Sequence, residues 1–269
     1  MTKHLEALVA KGVSEGTMTD KQRVFKALLA RSGVSPTMEA GALSHDVVRC
    51  FLDQVAAEKS GHRANTYRKH LVRLWSWGRR ARLVPGDCPW DVERYKEERG
   101  EKYVPPEADF WAVYEVADKV PTSYSERCGH FDRQPHRKRM LLAMLHTAAR
   151  RGEVFQMRWA DVDFEDGRVR LWTRKRTSGR EGDWIPLTEQ LAQALLDQRR
   201  ETGFGEFVFV NPATGKPYTS ASKMMGRICD QAGVKRFGFH AIRHLSASLL
   251  AKARVDLPTI QLILRHRCE

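Results

Sequence analysis

In the stretch FHAIRHLSASLL, His240, Arg243 and His244 stand at i, i+3 and i+4, which puts them along one face of a helix start. A guanidinium fork and an imidazole beside the free N–H groups of a helix N-terminus make a cradle for a phosphate. The same histidine spacing suits zinc, and His266 with Cys268 would complete a ligand set. Arg243 would hold a fixed positive charge beside such a metal, and no glutamate follows His240, so no metal is expected. A second cation, Arg150 in TAARRGE, emerges from an apolar helix into a turn with Glu153 three residues on. An arginine leaving a buried helix end needs a partner, which Glu153 or an external anion supplies. Between two strand-like runs, RKRTSGREGD carries Arg174, Lys175 and Arg176.

The elements that must hold these residues divide into two blocks. Residues 1–100 read as helices with short breaks. ALSHDVVRCFLDQVAAEKS has Ser44 as its N-cap and an apolar face through Val47, Val48, Phe51, Leu52 and Val55. After a break at Ser60-Gly61, ANTYRKHLVRLWSWGRRARL turns Tyr67, Leu71, Leu74 and Gly78 toward a core, with Trp75 and Trp77 expected in core and interface positions. Residues 101–108, with Pro105-Pro106, are expected to link the blocks. In residues 109–269, MLLAMLHTAARRGEVFQM reads as a helix, a turn and a second helix start. RVRLWT at 168–173 and WIPL at 184–187 alternate as the two arms of a hairpin, and 205–210 is expected to add a third short strand. Three helices follow, the last in LPTIQLILRH. The fold class expected is mainly α with a small antiparallel β-sheet (α+β).

Lysine and arginine number 46 against 33 acids, a net charge of +13, which favours a polyanionic partner. Between Lys59 and Asp87 there is no acid, yet Arg63, Arg68, Lys69, Arg73, Arg79, Arg80 and Arg82 all fall there. A solvated face normally mixes signs, so phosphate contacts are expected from Arg63, Arg68, Lys69, Arg73 and Arg80, and from Arg174 and Arg176 on the hairpin. No stretch approaches the ~20 apolar residues of a membrane span. The N-terminus is not a signal peptide, and five scattered cysteines without a CxxC pair argue for a reducing compartment. A cytoplasmic location is expected.

The order T-x-x-R-x-x-E, a lysine hairpin, H-x-x-R and L-x-H resembles the tyrosine recombinase (phage integrase) family, and the likeness covers nearly the whole chain. Thr147 to Glu153 match the family's Thr-Gly-x-Arg-x-x-Glu turn, Lys175 its hairpin lysine, His240 and Arg243 its His-x-x-Arg, and Leu264 to His266 its Leu-Gly-His. The resemblance implies a helical core-binding domain followed by a catalytic domain, with no cofactor, acting on double-stranded DNA as a tetramer. It implies that Arg150 and Arg243 neutralise a phosphorane-like transition state and that Lys175 protonates the leaving 5′-oxygen. His240 and His266 would hydrogen-bond around the phosphate, while a tyrosine attacks to form a 3′-phosphotyrosyl link.

Four positions depart from this pattern. Ala148 and Arg265 stand where the family has glycine, and the cations flanking Lys175 blur its assignment. The fourth departure is the nucleophile: Tyr67, Tyr95, Tyr103, Tyr114, Tyr124 and Tyr218 all precede His240. The chain is therefore expected to be cut short before the nucleophile, to bind DNA without cleaving it, and to be monomeric. The alternatives are a catalytically silent DNA-binding regulator on the same fold and a type IB topoisomerase.

Overall fold

Ser14, Ser44 and Ser60 each set a hydroxyl over a first helical turn, accepting from the backbone N–H of Thr17, Val47 and Arg63. They open α2 (Glu15–Arg31), α3 (His45–Glu58) and α4 (Gly61–Arg80), which with α1 (Thr2–Ala10) build one compact unit, Met1–Glu101. The computed structural model describes the whole chain except Pro36, Pro85, Arg99, 122–133, 176–178, Phe204 and 266–269.

Helical periodicity decides the packing of this unit. Ala64, Tyr67, Leu71, Trp75 and Gly78 form the buried stripe of α4, facing Val48, Phe51, Leu52 and Val55 of α3. Leu74, expected in the core, is half-buried; Trp75 takes that place, stacking edge-on against Trp90 at 5.1 Å and donating to the Asp87 carbonyl at 3.1 Å. Gly61 is dictated by proximity, since a Cβ there would collide with the Lys96 carbonyl.

Beneath α1, His4 is 4% and Lys21 5% exposed, with Nζ and Nε2 3.4 Å apart. Burial first, and then the Lys21 ammonium, hold the His4 imidazole at a pKa of about 4. The fold therefore favours neutral His4, whereas the unfolded chain protonates it near its ordinary ~6.5. Its contribution to stability is complete above about pH 6.5 and is lost as pH falls toward 4. Urea denaturation of the first unit should show a lower midpoint at pH 5 than at pH 7. A His4→Gln variant should flatten that difference; an unchanged difference would refute the assignment.

The second unit, Lys102–Glu269, is laid around α6 (His136–Thr147). Met140 to Leu145 are buried without interruption, which is the pattern of a helix enclosed on all sides. α8 (Glu189–Thr202) and α10 (Phe239–Lys252) pack on it, α5 (Glu107–Val116) packs on α9 (Ser222–Gln231), and α11 (Leu257–Ile263) packs on α10. Tyr103 and Val104 also lie against this core. The short α7 (Arg151–Phe155) follows α6 directly.

The antiparallel sheet runs β1 (Val162–Asp163), β2 (Arg168–Lys175), β3 (Gly179–Pro186), with Val169, Leu171 and Ile185 turned inward. Two expectations are corrected here. The hairpin arms extend beyond Thr173, pairing Arg174 with Arg180 and Lys175 with Gly179. Their outer face is polar but still ordered by stacking, Arg168 lying 4.6 Å from Trp184 and Arg170 4.1 Å from Trp172. The third strand is Val162–Asp163, not 205–210. Val208 and Phe209 are consecutive and both fully buried, so that run lacks the alternation of a half-exposed strand. It pairs with the chain after α7 through the Arg158–Phe207 bridge and the bonds from Trp159 N–H to the Glu206 carbonyl and from Val208 N–H to the Met157 carbonyl. Its last residue opens β4 (Val210–Asn211), which pairs with β5 (Lys216–Pro217). Mainly helical with small antiparallel sheets, the architecture is the α+β class expected. Among the described residues no helix is long and apolar enough to cross a membrane.

Candidate active site

The site is built where α6 stops. Ala148 ends that helix in the left-handed region (φ 47°, ψ 32°), which reverses the chain within one residue. Arg150 then becomes the N-cap of α7, and Glu153 in its first turn folds back: Oε2 accepts from the Arg150 backbone N–H at 2.8 Å. Oε1 accepts from Arg150 Nη1 at 2.9 Å and from the Thr173 hydroxyl of β2. Arg150 Nη1 also lies 3.4 Å from Thr173 Oγ1.

A second guanidinium enters from the chain after α11. Arg265, also left-handed at φ 51°, donates from Nη2 to Glu153 Oε2 at 2.7 Å, and both side chains are 5% exposed. Its Nη1 reaches the Thr147 and Ile263 carbonyls at 3.3 Å each. Arg243, on α10, donates to the Ala148 carbonyl at 2.6 Å and to the Leu264 carbonyl, and is 3% exposed. Burial raises the Glu153 carboxyl, but Arg265 and the bonds from Thr173 and Arg150 outweigh that and hold it below the usual carboxylate range. Burial, then Arg150 and Arg265, lower Arg243 to about 10, so it remains a cation at neutral pH.

Two guanidiniums, Arg150 and Arg265, thus share one carboxylate, and a third, Arg243, holds the backbone on either side of them, a surplus of positive charge fixed by the scaffold. Arg150 is its accessible end, with 41% of its side chain exposed. The histidines stand beside it. His240 is exposed at the start of α10, and its ring centroid lies 4.6 Å from that of His244. Burial, then His244, Arg243, Lys102 and Arg150, lower the His240 pKa, so a neutral imidazole faces this surface at pH 7. Such an arrangement binds an oxyanion and hydrogen-bonds its oxygens without needing a metal's charge.

The positions singled out in the sequence separate here. Arg150 pairs with Glu153 and Arg243 holds the Ala148 carbonyl of the same turn, with His240 within electrostatic reach of both. Lys175 and Arg174 are the last β2 residues paired with β3, while Arg176 and His266 lie outside the described residues. Tyr218 is buried, its hydroxyl 2.7 Å from His136 Nε2, and burial raises its pKa to about 12, so it belongs to the core. Two site residues escaped the sequence reading. Thr173 was legible by parity, two residues beyond inward-facing Leu171. Arg265 was marked only by standing where the family pattern has glycine.

The phage integrase family profile matches residues 123–268, more than half of the chain. The chain belongs to the phage integrase family. The fold of this integrase-family chain is that of solved integrases. A lambda integrase (75–356) dimer bound to a COC' core site superposes with a TM-score of 0.74 at 19% identity, covering 99% of this chain and 93% of that one. A lambda integrase tetramer bound to a Holliday junction gives 0.72 at 18% identity, over 99% of this chain and 76% of that one. The Tn1549 transposon integrase in complex with a circular intermediate DNA gives 0.69 at 17%, over 98% and 91%. No curated protein sequence matches the chain.

The first unit carries a separate cationic face. Arg63, Lys69, Arg73 and Arg80 of α4 are exposed, and Lys69 and Arg73 line a groove of about 430 Å³ with Thr66 and Arg94. Arg68 is used differently: half-buried, it donates to the Val92 carbonyl. Asn65 secures the same segment, exchanging 2.9 Å bonds with the Tyr95 backbone. If Arg73 and Arg80 each hold a phosphate, Arg73→Ala with Arg80→Ala should weaken duplex binding and flatten the log–log salt slope by about two. Fluorescence anisotropy over a salt series measures this, and an unchanged slope would remove both residues from the contact.

Proposed function

We propose that this chain is the DNA-binding and phosphate-holding part of a site-specific recombinase, an integrase that cuts and rejoins DNA through a 3′-phosphotyrosyl intermediate. The observation that carries the reading is the arginine cluster on the Ala148 turn: Arg150 and Arg265 share the Glu153 carboxylate, Arg243 holds the Ala148 carbonyl, and Arg150 is open to an incoming phosphodiester. In this reading Arg150 and Arg243 stabilise the charge that develops on the phosphorus oxygens, which bidentate, permanently ionised groups do well. His240 and His266 hydrogen-bond the same group. Lys175, with Arg174 and Arg176 beside it, protonates the 5′-oxygen as it leaves. All six tyrosines of residues 1–269 precede His240, so none of them is assigned the attack. The helical first part, residues 1–100, holds the duplex through Arg63, Lys69, Arg73 and Arg80, with Arg68 supporting that surface, and 101–108 joins it to the catalytic part. The recombining assembly is a tetramer on DNA in the cytoplasm, whereas residues 1–269 alone are monomeric.

A nicked duplex carrying the recombination site tests this. Residues 1–269 should retard the duplex in a salt-dependent manner and leave no denaturant-resistant protein–DNA adduct. An adduct would overturn the placement of the nucleophile. Failure to bind duplex DNA at low salt would overturn the DNA reading itself.

A further inference from the structure

We propose that Arg265 is a positioning residue for the phosphate site: through Glu153 it fixes the arginine turn and leaves Arg150 free to take the phosphate. The inference rests on the reading of that turn as a phosphodiester site. Arg265 has φ 51°, a conformation that disfavours any side chain beyond glycine, yet a long cationic one occupies it. That side chain is 5% exposed and runs inward to Glu153 Oε2 at 2.7 Å and the Thr147 carbonyl at 3.3 Å. It therefore touches the carboxylate that orients Arg150 and the residue before the left-handed reversal at Ala148. The adjacent Leu264 carbonyl accepts from Arg243. One peptide thus joins both phosphate-facing arginines to the end of α11.

The electrostatic consequence follows from sharing. Glu153 carries one negative charge and meets two guanidiniums, Arg150 at 2.9 Å and Arg265 at 2.7 Å. Because Arg265 neutralises the buried carboxylate, Arg150 keeps an unmet demand for an anion, and its exposed edge is where that demand is answered. Without Arg265 the carboxylate would pair with Arg150 alone and compete with the phosphate.

Inorganic phosphate titrated into the 269-residue chain, observed through the arginine Nε–Hε resonances, tests this. The wild type should show a saturable shift at Arg150 that Arg150→Ala abolishes. Arg265→Met and Arg265→Gly should each weaken that phosphate affinity by about fivefold, the scale of coupling between groups in one charged network, with Arg265→Lys recovering part of it. In a Glu153→Gln background, Arg265→Met should add no further loss, which a general loosening of the fold would not reproduce. The glycine variant relieves the left-handed strain and so keeps a folded chain available for comparison. Saturable wild-type binding that Arg265→Met and Arg265→Gly leave unchanged would overturn the inference. Absence of saturable binding in the wild type would instead overturn the phosphate-site reading, and the inference with it.

Discussion

Glu153→Ala is expected to destabilise the second unit by about 3–5 kcal/mol, the usual result of deleting one partner of a buried ion pair. The magnitude follows from what is left behind. The carboxylate accepts from the Arg150 backbone, the Arg150 and Arg265 guanidiniums and the Thr173 hydroxyl, so its loss orphans donors on three separate segments. Arg265 suffers most, because its guanidinium is 5% exposed and only two carbonyls remain within reach. For a unit of this size the midpoint of thermal unfolding should fall by about 10 °C or more. Glu153→Gln keeps the shape and part of the hydrogen bonding, so it should lose less. A loss within about 1 kcal/mol for the alanine variant would mean that the buried pair is structurally idle.

The second large effect separates Arg150 from Arg243, the two arginines proposed to stabilise the phosphate. In a chain carrying a tyrosine downstream of His266, Arg150→Ala should slow covalent complex formation on a nicked duplex about 10²–10³-fold, corresponding to ~3–4 kcal/mol of lost charge stabilisation. Its cost to folding should be small, because 41% of the side chain is exposed and Glu153 keeps Arg265. Arg243→Ala should slow the same step to a similar degree and also lower stability by about 2–4 kcal/mol. It removes a 3% exposed side chain and orphans the Ala148 and Leu264 carbonyls. Single-turnover cleavage measured beside urea denaturation distinguishes the two. Equal stability losses would contradict the burial difference between them.

Much of this was readable from residue types alone. Ser44 announced α3, because a hydroxyl ahead of an apolar stripe satisfies the first free N–H groups; Ser60, read only as a break, caps α4 in the same way. The unbroken apolar run around Met140 to Leu145 marked the enclosed helix, and the order of cationic motifs led to the family. What escaped depended on distant partners. The strand Val162–Asp163 is two residues long, too short to show alternation, and exists because Val169 and Arg168 lie alongside it. Arg68 looked like its exposed neighbours until the Val92 carbonyl, 24 residues on, claimed its Nε. The role of Arg265 depends on Glu153, 112 residues earlier, and no local pattern reports a pairing at that separation.

The Glu153–Arg265 pair also bears on which hybrids of this chain can fold. The dependence is one-sided: Glu153 without Arg265 retains Arg150 and Thr173, whereas Arg265 without Glu153 is a buried cation. A hybrid that keeps residues through 153 and acquires a final segment with glycine at 265 should therefore fold. The reciprocal hybrid, grafting this arginine onto a body lacking the carboxylate, should not. The last segment thus tolerates glycine at 265 whatever precedes it, whereas an arginine there requires the carboxylate at 153.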